Sequence, residues 1–317
     1  MSCITDTKYS TLKQHLSGIP LAFPVLNASG CFNPMGFDQL TPLNKCLGAI
    51  VTKTITPQPR CGNVQQRTAE IAGVGMLNSI GLQNPGMAMT LKTDIPDFLT
   101  TGVPVIASIA ATSVEEFGVM VQTMDQDLAG RAIVGYEVNL SCPNVAKGGV
   151  DFGRNPSLIT DILTVLTEHT HKPCFAKLTP NVDTMVPMAE AAVDGGAAGI
   201  TAINTLLGAH IDIRQRRLSL SRGSGGYSGP GVKPVAIHHV CQLRKALPEH
   251  IPIIGVGGAQ CADDVIEFMM AGASVVQVGT SCFRNPGVFE QLRDELLEFT
   301  EREGLNQITD IVGCVHN

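Results

Sequence analysis

Cys174-Phe175-Ala176-Lys177-Leu178 and Gly199-Ile200-Thr201-Ala202-Ile203 are short apolar runs, separated by a helical pattern over Met185–Asp194 and a Gly195-Gly196 stop. Neither run alternates apolar with polar residues, as expected of parallel strands covered on both faces by helical crossovers. Residues 174–203 therefore read as strand, helix, strand. Similar runs occur at Val25–Ala28, Ala49–Thr52, Val103–Ile109, Ile133–Leu140, Ile251–Val256 and Val275–Val278, making eight candidate strands in all. Helical patterns lie between them at Val114–Leu128, Ser157–Glu168, Met185–Asp194, Val235–Ala246, Ala262–Ala271 and Val288–Glu303. Pro156, Pro234 and Pro286 fall at or just before helix starts, and Gly195, Gly272 and Gly304 just past helix ends, where each residue type is tolerated best.

Repeated βα alternation predicts an α/β fold, a TIM (β/α)8 barrel forming a single domain over residues 1–317. A doubly wound sheet is the structural alternative, but eight strands and the lack of an early GxGxxG fingerprint weigh against it. Two connections are too long for simple loops, Thr54 to about Pro85 after the second strand and Asn204 to Lys233 after the sixth. In a TIM barrel the segments after strands make the catalytic face, so these insertions should cover a pocket, as small hairpins or a moving lid.

Composition narrows the function classes. With 44% hydrophobic and 16% charged residues, a chain of 317 residues has ample material for a core. Its 22 lysines and arginines against 28 aspartates and glutamates give net charge −6 with no basic run, which argues against a nucleic-acid partner. The ten cysteines, at 3, 31, 46, 61, 142, 174, 241, 261, 282 and 314, show no close pairs, so no zinc site, iron–sulfur site or disulfide framework is expected. No apolar stretch approaches the roughly 20 residues that span a bilayer. A cytoplasmic protein with no metal and no membrane partner is the expectation.

Several strands end in residues with useful chemistry: Ser29, Lys53, Asn139, Lys177 and Asn204. Lys53 and Lys177 follow buried runs, where a charge needs an anionic or hydrogen-bonding partner. Gly257-Gly258 and Gly279-Thr280 follow the last two strands and precede helical starts; each pair alone could simply permit a tight turn. In tandem they point to backbone amides that cradle a phosphorylated ligand such as FMN. Asn78-Ser79-Ile80-Gly81-Leu82 lies in the first insertion, so Asn78, Asn139, Asn144 and Asn204 can converge on a ligand with several carbonyls and N–H groups. Between the amides, in Asn139-Leu140-Ser141-Cys142-Pro143-Asn144, stands a thiol with no histidine nearby. That arrangement suggests proton abstraction beside a polar planar ligand rather than hydrolysis.

Taken in chain order, Asn27-Ala28-Ser29-Gly30, Thr52-Lys53-Thr54, Asn78–Leu82, Asn139–Asn144, Ala176-Lys177-Leu178, Asn204-Thr205, Ser228-Gly229-Pro230, Gly257-Gly258 and Gly279-Thr280 closely resemble the class 1 dihydroorotate dehydrogenases, flavoenzymes of pyrimidine biosynthesis. An ordered series of this kind is far more specific than any one glycine motif. The resemblance implies Cys142 as catalytic base, with Lys53, Asn78, Ser79, Ile80, Gly81, Leu82, Asn139, Asn144, Asn204 and Thr205 around dihydroorotate or orotate. It implies Ser29, Gly30, Lys53, Thr54, Ser108, Asn139, Lys177, Ile203, Gly229, Gly257, Gly258, Gly279 and Thr280 around FMN. Cys142 would remove the C5 proton while the C6 hydride passes to flavin N5, and Lys177 would offset charge on the reduced ring.

Gly75–Asn78, Gly81–Gly86, Lys177–Val182 and Ile203–Gly208 look more like the NAD-linked subclass 1B than the fumarate-linked subclass 1A. Subclass 1B implies a partner subunit carrying FAD and an iron–sulfur cluster, and a homodimer of barrels doubled into a heterotetramer. Two departures stand out: Ser108 replaces an asparagine common in subclass 1B, and Arg60–Arg67 lacks the prolines usual after Gly62-Asn63. The competing readings are a fumarate-dependent enzyme, a flavin-dependent pyrimidine oxidoreductase such as the barrel of dihydropyrimidine dehydrogenase, and a non-catalytic FMN-binding scaffold.

Overall fold

A computed structural model describes residues 7–32, 42–141, 143–144 and 150–316. Eight parallel strands form its central sheet: β1 (Val25–Asn27), β2 (Ile50–Val51), β3 (Val105–Ile109), β4 (Gly135–Asn139), β5 (Cys174–Lys177), β6 (Gly199–Ala202), β7 (Ile253–Val256) and β8 (Val275–Val278). Spatial order runs β2-β3-β4-β5-β6-β7-β8-β1, so sequence neighbours are also sheet neighbours. The strands are buried along their whole length, which explains why they lack polar alternation. Closure between β1 and β2 uses a side chain. The fully buried Asn27 amide accepts from Val51 N at 2.9 Å and donates to Val51 O at 2.7 Å, replacing a ladder step.

Helices cover the outside at Val114–Gln126, Pro156–His169, Val186–Asp194, Lys233–Ala246, Ala262–Met270 and Val288–Glu303. Their ends obey local chemistry: Ser113 and Asn155 accept from the third helical N–H, and Gly304 closes the last helix in the left-handed region at φ 64°. A short hairpin, Gln14–Leu16 with Ile19–Leu21, plugs the N-terminal mouth of the barrel. Its Leu16, Ile19 and Leu21 pack on Leu26, Val51, Ile106, Phe175, Ile254 and Val275. Each such buried side chain contributes about 1.5–3 kcal/mol, so this end of the barrel is sealed apolar and ligands must enter opposite it.

At the opposite end the two long insertions meet. Thr68–Ile71 and Gly75–Asn78, from the insertion after β2, pair with Gly225–Ser228 and Leu206–Gly208 from the insertion after β6. The expected hairpins are thus one shared four-stranded antiparallel sheet over the barrel mouth. Two short helices, Met87–Lys92 and Asp94–Leu99, return the chain to β3. Among the described residues no helix is long and apolar enough to cross a membrane.

Candidate active site

Between barrel mouth and insertion sheet lies a cavity of about 1100 Å³. That is at or above the upper end of the 300–1,000 Å³ usual for small-molecule sites, leaving room for more than one ligand. Its position follows from the fold, because it is lined by the C-terminal residues of β4, β5 and β7 (Asn139, Lys177 and Val256) and by residues just beyond the other five strands (Ala28, Lys53, Ala110, Ile203 and Gly279). Ser29, Gly30, Lys53, Thr54, Asn78–Leu82, Asn139, Lys177, Ile203, Asn204, Thr205, Gly229, Gly257, Gly258, Gly279 and Thr280 all line it. Ser108 does not. It is fully buried beneath the wall, with its hydroxyl 3.0 Å from Thr54 Oγ1, and reaches the cavity only through that threonine. Cys142 lies outside the described residues, as does the side chain of Asn144. The backbone beyond Cys142 is described at Pro143–Asn144, which pairs with Val150–Asp151.

One side of the cavity is built of carboxamides and hydroxyls that orient one another. Asn139 donates to Thr54 Oγ1 at 3.3 Å, and its Oδ1 accepts from Ser141 N at 3.2 Å and from Asn204 Nδ2 at 3.4 Å. Asn204 also donates to Ser141 Oγ at 2.9 Å and accepts from Thr205 N at 2.8 Å. The residue preceding Cys142 is therefore held by β4 and by the strand-six insertion together. Asn78 hangs from the insertion sheet, bonded to Gly226 O at 3.3 Å. Asn181 also lines this wall, bonded to Thr205 O at 3.0 Å and to Leu207 N at 2.7 Å. Sequence reasoning gave Asn181 no role, because two residues after Thr179 it reads as an ordinary turn residue.

The far end is a backbone cradle. Gly257 and Gly258 adopt φ 139° and 92°, and a Cβ on Gly258 would lie 2.8 Å from Gly229 O. Only glycine fits where backbone approaches backbone this closely. Among the described residues, the amides of Gly257, Gly258, Gly279 and Thr280 donate to no protein acceptor, and all four residues are half-buried and line the cavity. Unpaired donors around such a cradle suit the oxygens of a phosphate, so the residues present fit a flavin mononucleotide.

Two lysines face the same space. Lys53 extends along Gly30, where a Cβ would meet its Nζ at 3.6 Å. Desolvation by the surrounding wall lowers its pKa below the ordinary lysine value, Cys31 opposes the shift and Arg67 adds to it. Lys177 is only 6% exposed and is held by Glu137 Oε1 at 3.1 Å and Gln277 Oε1 at 3.2 Å. Its buried charge thus has the anionic partner that position demands. Glu137 and Gln277 escaped the sequence reading, since an acid or amide inside an apolar strand carries no local signal; their partners lie 40 and 100 residues away. Among the described residues no cluster of histidine, cysteine or carboxylate residues can hold a metal ion.

Comparison with known proteins agrees with this geometry. The family model described as dihydroorotate dehydrogenase matches residues 11–300. The chain is 39% identical over 305 residues, 96% of its length and 98% of the relative's, to the dihydroorotate dehydrogenase B (NAD(+)) catalytic subunit of Geotalea uraniireducens. It is 41% identical to the catalytic subunits of the same name from Geobacillus sp. strain WCH70, over 95% of each chain. It is also 41% identical to that of Halalkalibacterium halodurans, over 96% of this chain and 98% of the relative.

Proposed function

The chain belongs to the dihydroorotate dehydrogenase family, and from that premise we propose that it oxidises dihydroorotate to orotate in pyrimidine biosynthesis, with FMN bound, as the catalytic subunit of an NAD-linked enzyme. One observation carries the reading: a single cavity joins a phosphate-type amide cradle at Gly257, Gly258, Gly279 and Thr280 to a carboxamide wall at Asn78, Asn139 and Asn204. Bound FMN supplies the hydride acceptor. The remaining work falls to side chains. Asn78, Asn139 and Asn204 hold the carbonyls and N–H groups of the pyrimidine ring, each amide offering both a donor and an acceptor. Lys53 presents a cation to the substrate carboxylate. Cys142 takes the C5 proton, supported by the anchoring of Ser141 through Asn139 and Asn204. Lys177 places positive charge where the ring gains electrons.

The route of electrons beyond the barrel is the finer part of this proposal. Close identity to subunits named as catalytic, in an enzyme named for NAD, supports a second subunit that passes electrons on. That partner carries FAD and an iron–sulfur cluster, the barrel pairs with a second copy, and the whole chain acts as one catalytic domain in the cytoplasm. The purified chain, loaded with FMN and reduced anaerobically by dihydroorotate, tests this when fumarate, NAD and a quinone are offered separately. Slow reoxidation by all three, accelerated with NAD once the partner is added, is expected. Rapid reoxidation by fumarate alone would overturn the NAD-linked assignment.

A further inference from the structure

Building on the flavoenzyme reading above, we propose that Glu137 lowers the reduction potential of the bound flavin by placing a buried negative charge directly behind Lys177, while itself touching neither substrate nor cofactor. A lysine ammonium has three N–H donors. Two are directed at Glu137 Oε1, 3.1 Å away, and Gln277 Oε1, 3.2 Å away. Gln277 Nε2 donates to the other Glu137 oxygen, which closes a ring of three side chains from β4, β5 and β8. Gln277 thereby fixes the polarity of the ring, its oxygen toward the ammonium and its amino group toward the carboxylate. Lys177 lines the cavity, whereas Glu137 and Gln277, each 1% exposed, do not. The ligand thus meets a cation backed by a buried anion.

Charge balance gives the sign. A C6 hydride carries two electrons and one proton, so the ring that accepts it gains a negative charge, while the C5 proton leaves separately with Cys142. Lys177 favours that gain and Glu137 opposes it, both in a low-dielectric interior where charges are poorly screened. Glu137 also holds the ammonium in place, and the two roles predict opposite consequences for its removal. If potential-setting dominates, Glu137→Gln moves the flavin potential up. If the carboxylate merely props the lysine, Glu137→Gln moves it down, as loss of Lys177 does.

The test is a redox titration of the FMN-loaded wild type, Glu137→Gln, Glu137→Asp and Lys177→Met, with FMN affinity measured on each apoprotein by fluorescence quenching. Glu137→Gln should favour the reduced form at least tenfold, about +30 mV for a two-electron couple. Lys177→Met should shift the potential by a similar amount in the negative direction, and Glu137→Asp should stay within about threefold of wild type, since it keeps the charge. A Glu137→Gln shift that is absent, or has the sign of Lys177→Met, overturns the proposal. Should Glu137→Gln fail to fold with its lysine stranded, the double variant Glu137→Gln/Lys177→Met removes both charges together. Its potential should lie above that of Lys177→Met alone, and equality overturns the proposal. Wild-type apoprotein that takes up no FMN would sink the flavoenzyme reading itself. Normal uptake and reduction with same-sign shifts would sink only this inference.

Discussion

Asn78 and Gly226 sit opposite one another in antiparallel register, and the Asn78 amide donates to the Gly226 carbonyl at 3.3 Å across a separation of 148 residues. This pairing staples the insertion after β2 to the insertion after β6 and sets Asn78 over the cavity. Gly226 must be glycine, because a Cβ there would fall 2.1 Å from Thr205 Oγ1 and 2.7 Å from Thr205 Cβ. Gly226→Ala should therefore displace Thr205 and raise KM for dihydroorotate by roughly tenfold or more, about 1.4 kcal/mol, without changing the FMN content of the purified protein. Steady-state kinetics beside flavin absorbance checks both halves.

The amide cradle predicts the converse. A side chain at Gly258, at φ 92° and against Gly229 O and Lys233 N, cannot be accommodated without moving backbone. Gly258→Ala should lower FMN affinity by about tenfold or more, again roughly 1.4 kcal/mol. Its far-ultraviolet circular dichroism should match wild type, separating loss of the cradle from loss of the fold.

Asn139 joins three elements, since its amide bonds Thr54, Ser141 and Asn204. Asn139→Ala removes the acceptor that holds Ser141 N, next to Cys142, as well as a ligand-facing carboxamide. A fall in kcat/KM of about 100-fold is expected, near 2.7 kcal/mol of transition-state stabilisation. A fall below about threefold would remove Asn139 from the substrate wall.

Outside the barrel, Asp125 ties the helix Val114–Gln126 to β4 and the start of β5. It accepts from Tyr136 at 2.6 Å, from Thr170 at 2.5 Å and from Lys172 at 2.8 Å. Burial pushes its pKa up, but the hydrogen bonds from Lys172, Thr170 and Tyr136 together outweigh it and hold the carboxyl below 3.8. A carboxylate lowered in the folded state stabilises the fold above its unfolded pKa and loses that contribution as pH falls through its folded value. Asp125→Asn should cost about 1.5–3 kcal/mol at pH 7, and the gap from wild type should narrow as pH drops below about 4. Denaturant melts of both proteins from pH 7 to pH 3 measure it.

The barrel was legible because its strands are buried on both faces and its helices carry proline and glycine at their ends, so period, length and punctuation agreed. Boundaries moved by only a few residues; Val288–Glu303 matches its expected range, while the first-insertion helices Met87–Lys92 and Asp94–Leu99 had no clear periodicity. The two insertions were expected as small hairpins or a moving lid, not as one shared sheet. Strands such as Gly75–Asn78 and Gly225–Ser228 are glycine-rich and four residues long, and their pairing is fixed between segments far apart in the chain. The plug hairpin was missed for the same reason. Its three-residue strands are too short to show alternation, although Ser17-Gly18, at φ 47° and 87°, is a turn with both central residues left-handed, the type that joins tight hairpins. In the site, polar residues at or just past strand ends, such as Lys53, Asn139 and Lys177, could be singled out one by one in the sequence, and each lines the cavity. Glu137 and Gln277 were not, because their meaning is a three-way contact that exists only once β4, β5 and β8 are side by side.

Anaerobic stopped-flow reduction of the FMN-loaded chain by dihydroorotate near neutral pH, comparing wild type with Cys142→Ser, tests dihydroorotate oxidation and the base role of Cys142 together. Wild type should bleach its flavin in a single turnover, and Cys142→Ser should retain FMN while its reduction slows by about 10²-fold or more, the range a positioned general base contributes. A wild-type flavin that stays oxidised would rule out dihydroorotate as the substrate, and a Cys142→Ser variant reduced at the wild-type rate would remove Cys142 from the base role.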